Sequence, residues 1–229
     1  YLSRMAGHGK TADSSMINFT PEKVWEKACR DLAIARQLGE KTIIISTSTG
    51  GTLALKLAAT FPDEIWGLIN ISPNIEDGQL GSSLLNTPWG DEISYLIFTG
   101  DHRKIEHPEP LAEQYWDTIY PVISLRNLQQ LVETTMVPET FQKISCPVLT
   151  LYYYENYIEK DWRVDVEEFP KVHEELGTPD DRHHLQKLRT PKTHFIGSDI
   201  KSKNWLSGLD AATAFCEKVM HMEPVSPAN

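Results

Sequence analysis

The chain has 229 residues, of which 40% are apolar and 24% are charged, and its formal net charge is −10. This length suits one well-filled α/β domain, and the composition is that of a globular protein, not of a disordered or low-complexity chain. The acidic balance argues against a surface that neutralises nucleic acid or anionic lipid. The nearest basic run, Lys201-Ser202-Lys203, is too short for either partner.

Membrane insertion and structural cysteines are not expected. No apolar run approaches the roughly 20 residues that span a bilayer. Cys29, Cys146 and Cys216 have neither a paired spacing nor a metal-ligand pattern, so we expect no disulfide framework and no structural metal. The histidines have no metal-site spacing either, and no cofactor is expected. The default is a reducing compartment, the cytoplasm. Because the chain begins with Tyr1 and not with Met, a signal peptide further upstream stays open.

The first half of the chain alternates helix and strand patterns. A helix is predicted over residues 20–38, with Thr20 as its N-cap and Pro21 in its first position. The β-branched run at residues 42–45 is apolar on both faces, which is typical of a central parallel strand. A polar segment at 46–51 then leads into a helix that ends before Pro62.

Further strands are predicted at residues 67–72, 148–154 and 183–188, with a short extended piece at 1–5. The alternation of strands and helices predicts a mostly parallel sheet with helices on both faces. Apolar patterns around 111–119 and 125–132 predict helices in an insertion between two strands. We therefore divide the chain into a first core part, 1–78, a helical cap or lid, 79–145, and a second core part, 146–229.

The segment Ser46-x-Ser48-x-Gly50, followed by Gly51, places a hydroxyl between a predicted strand and a predicted helix. A sharp turn there would lift the side chain of Ser48 away from the sheet, and small neighbours would let the strand and the helix approach closely. A Ser/Thr-rich loop that caps the helix is the alternative explanation of these residues.

The Ser46-x-Ser48-x-Gly50 turn, called the elbow below, and the opening segment, Arg4-Met5-Ala6-Gly7-His8-Gly9, together resemble the α/β-hydrolase superfamily. The resemblance is to carboxylesterase and monoacylglycerol-lipase-like members of the serine aminopeptidase type, whose elbow reads Gly-x-Ser-x-Gly. Ser46 replaces the first glycine of that pattern. The likeness covers essentially the whole chain and implies an α/β-hydrolase fold with a cap insertion, whose first strands would lie upstream of Tyr1.

This resemblance implies a triad in the order Ser…Asp/Glu…His, with Ser48 as the nucleophile. The acid is expected just beyond the strand at 148–154, where Glu155, Glu159, Asp161 and Asp165 are the candidates. The Asp-x-x-Val pattern of the family matches the segment that begins at Asp161, so we choose Asp161. Asp165 is second because an acidic residue ahead of a helix is also explained as an N-cap.

The base is expected in the loop after the last strand, where His194 lies. His183 and His184 on the preceding strand are interpreted as structural, and His8 as a packing residue near the elbow. The remaining four histidines lie in polar surroundings and are expected to be solvated: His102, His107, His173 and His221.

The helix start after the nucleophile offers the backbone N–H of Thr49 to an oxyanion. In the family a second donor comes from a loop after an earlier strand, which would lie upstream of Tyr1. The cap is expected to line an apolar substrate site through five side chains, namely Leu84, Leu85, Trp89, Trp116 and Ile119.

The resemblance implies a serine hydrolase that cleaves carboxylic esters, such as acyl esters or monoacylglycerol-like molecules, through an acyl-enzyme. The partner is then a small-molecule acyl ester. Two alternatives stay open: a peptidase or thioesterase on the same fold, and a catalytically silent binding module. The sequence gives no oligomeric state.

Overall fold

The computed structural model describes residues 1–9, 16–76, 78, 87, 89–90, 92 and 100–225. The helices and strands in these ranges, in chain order, are α1 (Pro21–Leu38), β1 (Ile43–Thr47), α2 (Thr49–Thr60), β2 (Gly67–Ile71), β3 (His102–Lys104), β4 (Ile119–Pro121), α3 (Val122–Thr135), α4 (Pro138–Phe141), β5 (Val148–Tyr153), α5 (Glu168–Glu175), β6 (His183–Leu188) and α6 (Leu206–Lys218). No helix in this part of the chain combines the length and the apolar character that crossing a bilayer requires.

The main sheet has the strand order β1-β2-β5-β6, and every neighbouring pair is parallel. Successive side chains of a strand point to opposite faces, so the apolar strands serve two cores. Leu68 and Val148 pack with α1, α2, α4 and α5 on one face. Ile69 and Leu149 pack with α6 on the other. A mostly parallel sheet with helices on both faces is confirmed.

The start of α1 follows its predicted local chemistry. Thr20 has extended backbone, its hydroxyl accepts the N–H of Lys23 at 3.3 Å, and Pro21 occupies the first helical position. Proline suits this position because the first N–H groups of a helix have no intrahelical acceptor.

The predicted extended piece at 1–5 does not form a strand. The hydroxyls of Tyr1 and Ser3 donate instead to the carboxylate of Asp31 on α1, and the Tyr1 bond is 2.7 Å long. These bonds tie the segment to a helix, and β1 is an edge strand of the described sheet. Ile45 on β1 is 67% exposed, so the expectation of a central position for this strand is not met within the described residues.

Of the two helices predicted in the insertion, one is confirmed and the prediction of the other is wrong. The pattern at 125–132 lies within α3, but residues 111–119 form only a 3₁₀ turn, Ala112–Gln114. The chain then enters β4, which pairs antiparallel with β3. Trp116 turns its ring toward Phe195, with centroids 5.4 Å apart, so its side chain serves a distant contact and not a helical stripe.

Candidate active site

The predicted elbow is present between β1 and α2. Ser48 has φ 55° and ψ −124°, a positive φ that a residue with a Cβ adopts at a cost. Its side chain makes no helix-capping hydrogen bond, although it occupies the N-cap position of α2. The alternative of an ordinary capping serine therefore lacks its defining contact, whereas a strained turn under an uncapped hydroxyl is the geometry of a nucleophile elbow.

Backbone hydrogen bonds and one close contact hold this turn in its conformation. The N–H of Ser48 donates to the carbonyl of Ile71 at 3.1 Å, and the carbonyl of Ser48 accepts from Asn74 at 2.9 Å and from Gly51 at 2.8 Å. A Cβ on Gly51 would lie 2.4 Å from Cβ of Pro73, so only glycine lets α2 approach the 71–74 segment this closely. The strained backbone is thus held from three sides.

Ser46, which replaces the usual first glycine of the elbow, is accommodated by a buried hydrogen bond. Its hydroxyl donates to Oδ1 of Asn70 on β2 at 2.7 Å, and Asn70 is its register partner in the sheet. Among the described residues, three buried polar atoms around this pair have no hydrogen-bond partner: Asn70 Nδ2, Ser72 Oγ and Asn74 Oδ1. Sequence reasoning missed this polar layer, although Asn70 within the apolar strand Gly67–Ile71 was its signal.

Asp161 and His194 form a buried pair. Nδ1 of His194 lies 2.6 Å from Oδ2 of Asp161, and the two residues are 5% and 3% exposed. Asp161 is fixed by its own N–H, which donates to the carbonyl of Tyr153, and by the N–H of Arg163, which donates to Oδ1 at 3.0 Å. A carboxylate only accepts, so this contact assigns a proton to Nδ1, and in the neutral form of the ring the lone pair then lies on Nε2.

The loop that carries His194 returns across the sheet toward the elbow. Ile196 packs with Ile69 of β2 and Leu151 of β5. Gly197 faces Ile71, whose Cδ1 would lie 3.6 Å from a Cβ at that position. Ile71 is the residue whose carbonyl accepts the N–H of Ser48. Ser48 and the His194 loop therefore both reach the end of β2.

Among the described residues no hydrogen bond joins Ser48 Oγ to the His194 ring. Catalytic hydrogen bonds without substrate are often long and tighten only in the complex. The structure brings Asp161 and His194 into direct contact. Ser48 lies at the same carboxyl edge of the sheet.

The other acid candidates have different partners. Oδ1 of Asp165 accepts the N–H of Glu167 at 3.0 Å, which is a turn bond ahead of α5. Glu159 and Glu155 both contact the ammonium of Lys192, Glu159 at 3.0 Å. Only Asp161 among the four candidates is paired with His194 in the described contacts.

The candidate oxyanion donor lies at the start of α2. Thr49 is the first residue of this 12-residue helix, so its N–H belongs to the first turn, where backbone donors lack intrahelical acceptors. The partial positive charge of a helix N-terminus favours an anion at this place.

The thiols are poor rival nucleophiles. All three cysteines are free, and burial raises the pKa of each, that of Cys146 to about 11. A raised thiol pKa lowers the thiolate fraction at neutral pH. Within the described ranges no three His, Cys, Asp or Glu side chains converge as metal ligands would.

The predicted lining residues divide into three groups. Trp116 is half-buried and stacks edge-to-face on Phe195, next to His194. Trp89 and Ile119 are exposed, at 70% and 53%, and no described contact places them against the site. Leu84 and Leu85 lie outside the described residues.

Known proteins are similar to this chain in structure. No protein-family model matches the sequence, and no curated protein matches it. Among solved structures, the chain is similar to one from a report on the metagenome-derived lipolytic enzymes LipS and LipT, with a TM-score of 0.73 and 16% identity over 94% of this chain and 80% of that one. It is similar to the monoacylglycerol lipase of Paleococcus ferrophilus, with a TM-score of 0.63, 18% identity and coverages of 93% and 81%.

A third similar structure is a soluble variant of the monoglyceride lipase of Saccharomyces cerevisiae, with a TM-score of 0.64 and 14% identity over 97% of this chain and 77% of that one. At these identities the likeness concerns the fold. The parallel sheet, the strained serine turn after β1 and the paired loops after β5 and β6 agree with it. The chain has the α/β-hydrolase fold.

Proposed function

We propose that this chain is a serine hydrolase that cleaves carboxylic esters, with Ser48 as nucleophile, His194 as base and Asp161 as the acid that orients it. The observation that carries the proposal is the buried 2.6 Å contact between Asp161 and His194 at the sheet edge where Ser48 sits in a strained turn. A serine hydroxyl is a weak nucleophile at neutral pH, so it needs such an oriented base.

The first half-reaction transfers the acyl group to the protein. Nε2 of His194 takes the hydroxyl proton as Oγ of Ser48 attacks the ester carbonyl, and Asp161 stabilises the resulting imidazolium. The N–H of Thr49 donates to the oxyanion. Collapse of the tetrahedral intermediate breaks the bond to the alkoxy oxygen, which leaves as the alcohol with the proton from Nε2.

The second half-reaction releases the acid. Nε2 of His194 removes a proton from water, the hydroxide attacks the acyl carbonyl, and the proton passes back to Oγ of Ser48 as the carboxylic acid leaves. The same donor at Thr49 serves the second oxyanion.

The proposed substrate class is a small acyl ester. The named structural neighbours are lipolytic enzymes and monoacylglycerol lipases. In this chain the aromatic pair Trp116–Phe195 lies directly beside His194, and such a wall suits an apolar acyl chain. We retain residues 79–145 as a proposed cap over this wall.

The test is hydrolysis of p-nitrophenyl esters of increasing acyl length by the wild type and by Ser48→Ala. We expect the variant to lose at least about 10⁴-fold in kcat/KM, the scale on which loss of a triad nucleophile is measured. Ser145→Ala is the matched control, since Ser145 is exposed and lines a cleft at the opposite edge of the sheet. Unchanged hydrolysis by Ser48→Ala would overturn the proposal.

Acyl length tests the substrate class separately. Each methylene buried in an apolar site contributes about 0.8 kcal/mol, or roughly fourfold in kcat/KM. Rising kcat/KM from acetyl to butyryl and hexanoyl esters supports an acyl wall. A flat series would contradict the wall while leaving the triad in place.

A further inference from the structure

Lys201 is a buried lysine near the proposed triad. Only 5% of its side chain is exposed. Its ammonium lies 2.9 Å from Oε2 of Glu109 and 3.3 Å from Nδ1 of His107. The same nitrogen lies 4.8 Å from the ring centroid of Trp116 and 5.4 Å from that of Phe195. We call these five residues the Lys201 cluster.

Two separate parts of the chain meet in this cluster. Phe195 and Lys201 lie in the loop after β6, where the N–H of Ser198 donates to the carbonyl of Phe195 and the hydroxyl of Ser198 accepts the N–H of Lys201. His107, Glu109 and Trp116 lie in the segment between β3 and β4. Lys201 therefore joins the loop of His194 to the region proposed as the cap.

His107 closes the segment between β3 and β4 onto itself. Its Nε2 lies 3.3 Å from the carbonyl of Asp117, and a carbonyl only accepts, so Nε2 carries the proton. Nδ1 then has a free lone pair, which accepts a hydrogen bond from the ammonium of Lys201. The side-chain chemistry of the segment is complementary to a cation at this position.

Phe195 transmits this arrangement to the proposed base. Its ring stands perpendicular to the ring of His194, at 87° and 5.1 Å between centroids, and meets Trp116 at 5.4 Å. The guanidinium of Arg163, two residues after Asp161, lies 5.4 Å from the same ring. A shift of Lys201 would thus move the aromatic ring that packs directly on His194.

The energetic balance favours a fixed ammonium. Burying a cation is costly unless it is paired and hydrogen-bonded, and this lysine has a carboxylate, an imidazole nitrogen and two ring faces. The hydrogen bond from Lys201 also lowers the pKa of Glu109. Glu109 is partly exposed, but loss of its carboxylate would remove the charge partner of a buried ammonium, so the two are expected to act as a unit.

We propose that Lys201 is a positioning residue that fastens residues 107–116 to the loop of His194. It thereby fixes the position of the aromatic pair Trp116–Phe195 relative to the imidazole of His194. This inference rests on the proposed function. Lys201 acts through Phe195 and does not itself touch the reacting atoms.

The test compares Lys201→Met with Lys203→Met. Methionine keeps an unbranched apolar stem but removes the charge and the donors, and Lys203 is an exposed lysine of the same loop. Misplacement of a catalytic group by about 1 Å costs on the order of 100-fold, so we expect Lys201→Met to lose about 10- to 100-fold in kcat and Lys203→Met to lose none. Lys201→Arg, which keeps the charge and donors, is expected to recover much of the loss.

Glu109→Gln provides a second route with a nearly isosteric change at a partly exposed residue. It should lower kcat in the same direction, and the double variant with Lys201→Met should be no worse than the stronger single variant, because both changes break one unit. Fully additive losses in kcat would overturn the proposal.

A spectroscopic readout separates positioning from general stability. The proton between Nδ1 of His194 and Asp161 should give a far-downfield NMR resonance, which we expect to shift in Lys201→Met and to stay in Lys203→Met. A variant of lowered melting temperature with unchanged resonance and unchanged kcat at a permissive temperature would show a merely structural lysine and overturn the proposal.

Failure of the proposed function looks different. If Ser48→Ala hydrolyses esters as well as the wild type, the triad is wrong. A resonance shift in Lys201→Met would then still support the link between the segment at 107–116 and His194.

Discussion

Two buried histidines pack against the main parallel sheet, one in the loop after β6 and one on α5. Their hydrogen-bond partners differ. His194, 5% exposed, faces the carboxylate of Asp161. His173 on α5, 6% exposed, faces a second imidazole, that of His183 at 3.1 Å, and the hydroxyl of Thr150 at 2.9 Å. The two rings are similarly buried, and what differs is the charge of the partner.

The partner decides whether a buried ring can accept a proton during catalysis. At His194 the partner is a carboxylate, which is the group that the proposed general base needs beside its imidazole. At His173 burial, with further contributions from His183 and His184, lowers the pKa from 6.5 to about 3, so this ring stays neutral at physiological pH. These partners support the base that we propose at His194 and a structural role for His173.

Replacing the two histidines should separate these roles most strongly. His194→Ala removes the base, so we expect kcat/KM for a p-nitrophenyl butyrate assay to fall by about 10⁴- to 10⁶-fold. His173→Gln should stay active wherever it is folded, as checked by circular dichroism. A folded His173 variant without activity would break the distinction.

Asp161→Asn tests the partner itself. An amide at this position can hold the ring in the wrong tautomer, and loss of about 10⁴-fold in kcat is the expected scale. Asp165→Asn is the control, because asparagine can still accept the N–H of Glu167. A larger loss for Asp165→Asn than for Asp161→Asn would move the acid to the alternative position.

The pH dependence of stability should report on His173. Its pKa is about 3 in the folded chain and 6.5 as the ordinary value, so between these values the unfolded chain binds a proton that the native chain does not. The contribution of His173 to the free energy of unfolding is therefore complete above about pH 6.5. It falls as the pH decreases below that value, by at most about 1.4 kcal/mol per pH unit.

The measurement is urea unfolding between pH 5 and pH 7, above most carboxylate titrations. His173→Gln should flatten the slope, whereas His221→Gln, at an exposed position, should keep it. Identical slopes in the wild type and His173→Gln would show that His173 titrates normally.

The smallest expected effect concerns the hydroxyl of Thr150, which contacts His173. Thr150→Val keeps the shape but leaves Nε2 of His173 without its partner at 2.9 Å, so we expect a loss of about 1–3 kcal/mol in the free energy of unfolding. Thr134→Val, on the exposed side of α3, should change it by less than about 0.5 kcal/mol. Equal effects would mean that the bond to His173 contributes little.

The sequence predicted the elements whose local chemistry decides their structure. Thr20 with Pro21 sets the start of α1, and mainly apolar runs, each with one polar residue, set β2 and β5. The choice of Asp161 rested on a family pattern and agrees with its contact to His194. The roles in the triad remain proposals.

The errors arose where a distant contact outweighs local pattern. His173 was expected to be solvated because its neighbours in sequence are polar, yet α5 packs it against Thr150 on β5. Lys201 looked like part of a short basic run, but its partners are 92 and 94 residues away in the chain. Residues 111–119 carried a helical stripe, and Trp116 instead meets Phe195. No window of local sequence contains these partners.

The most direct test of the central claim is to label the protein with a fluorophosphonate and to map the adduct by peptide mass spectrometry. The account predicts one phosphonyl group on Oγ of Ser48, with labelling slowed strongly in His194→Ala and abolished in Ser48→Ala. An adduct on another residue, or labelling that persists in Ser48→Ala, would contradict it.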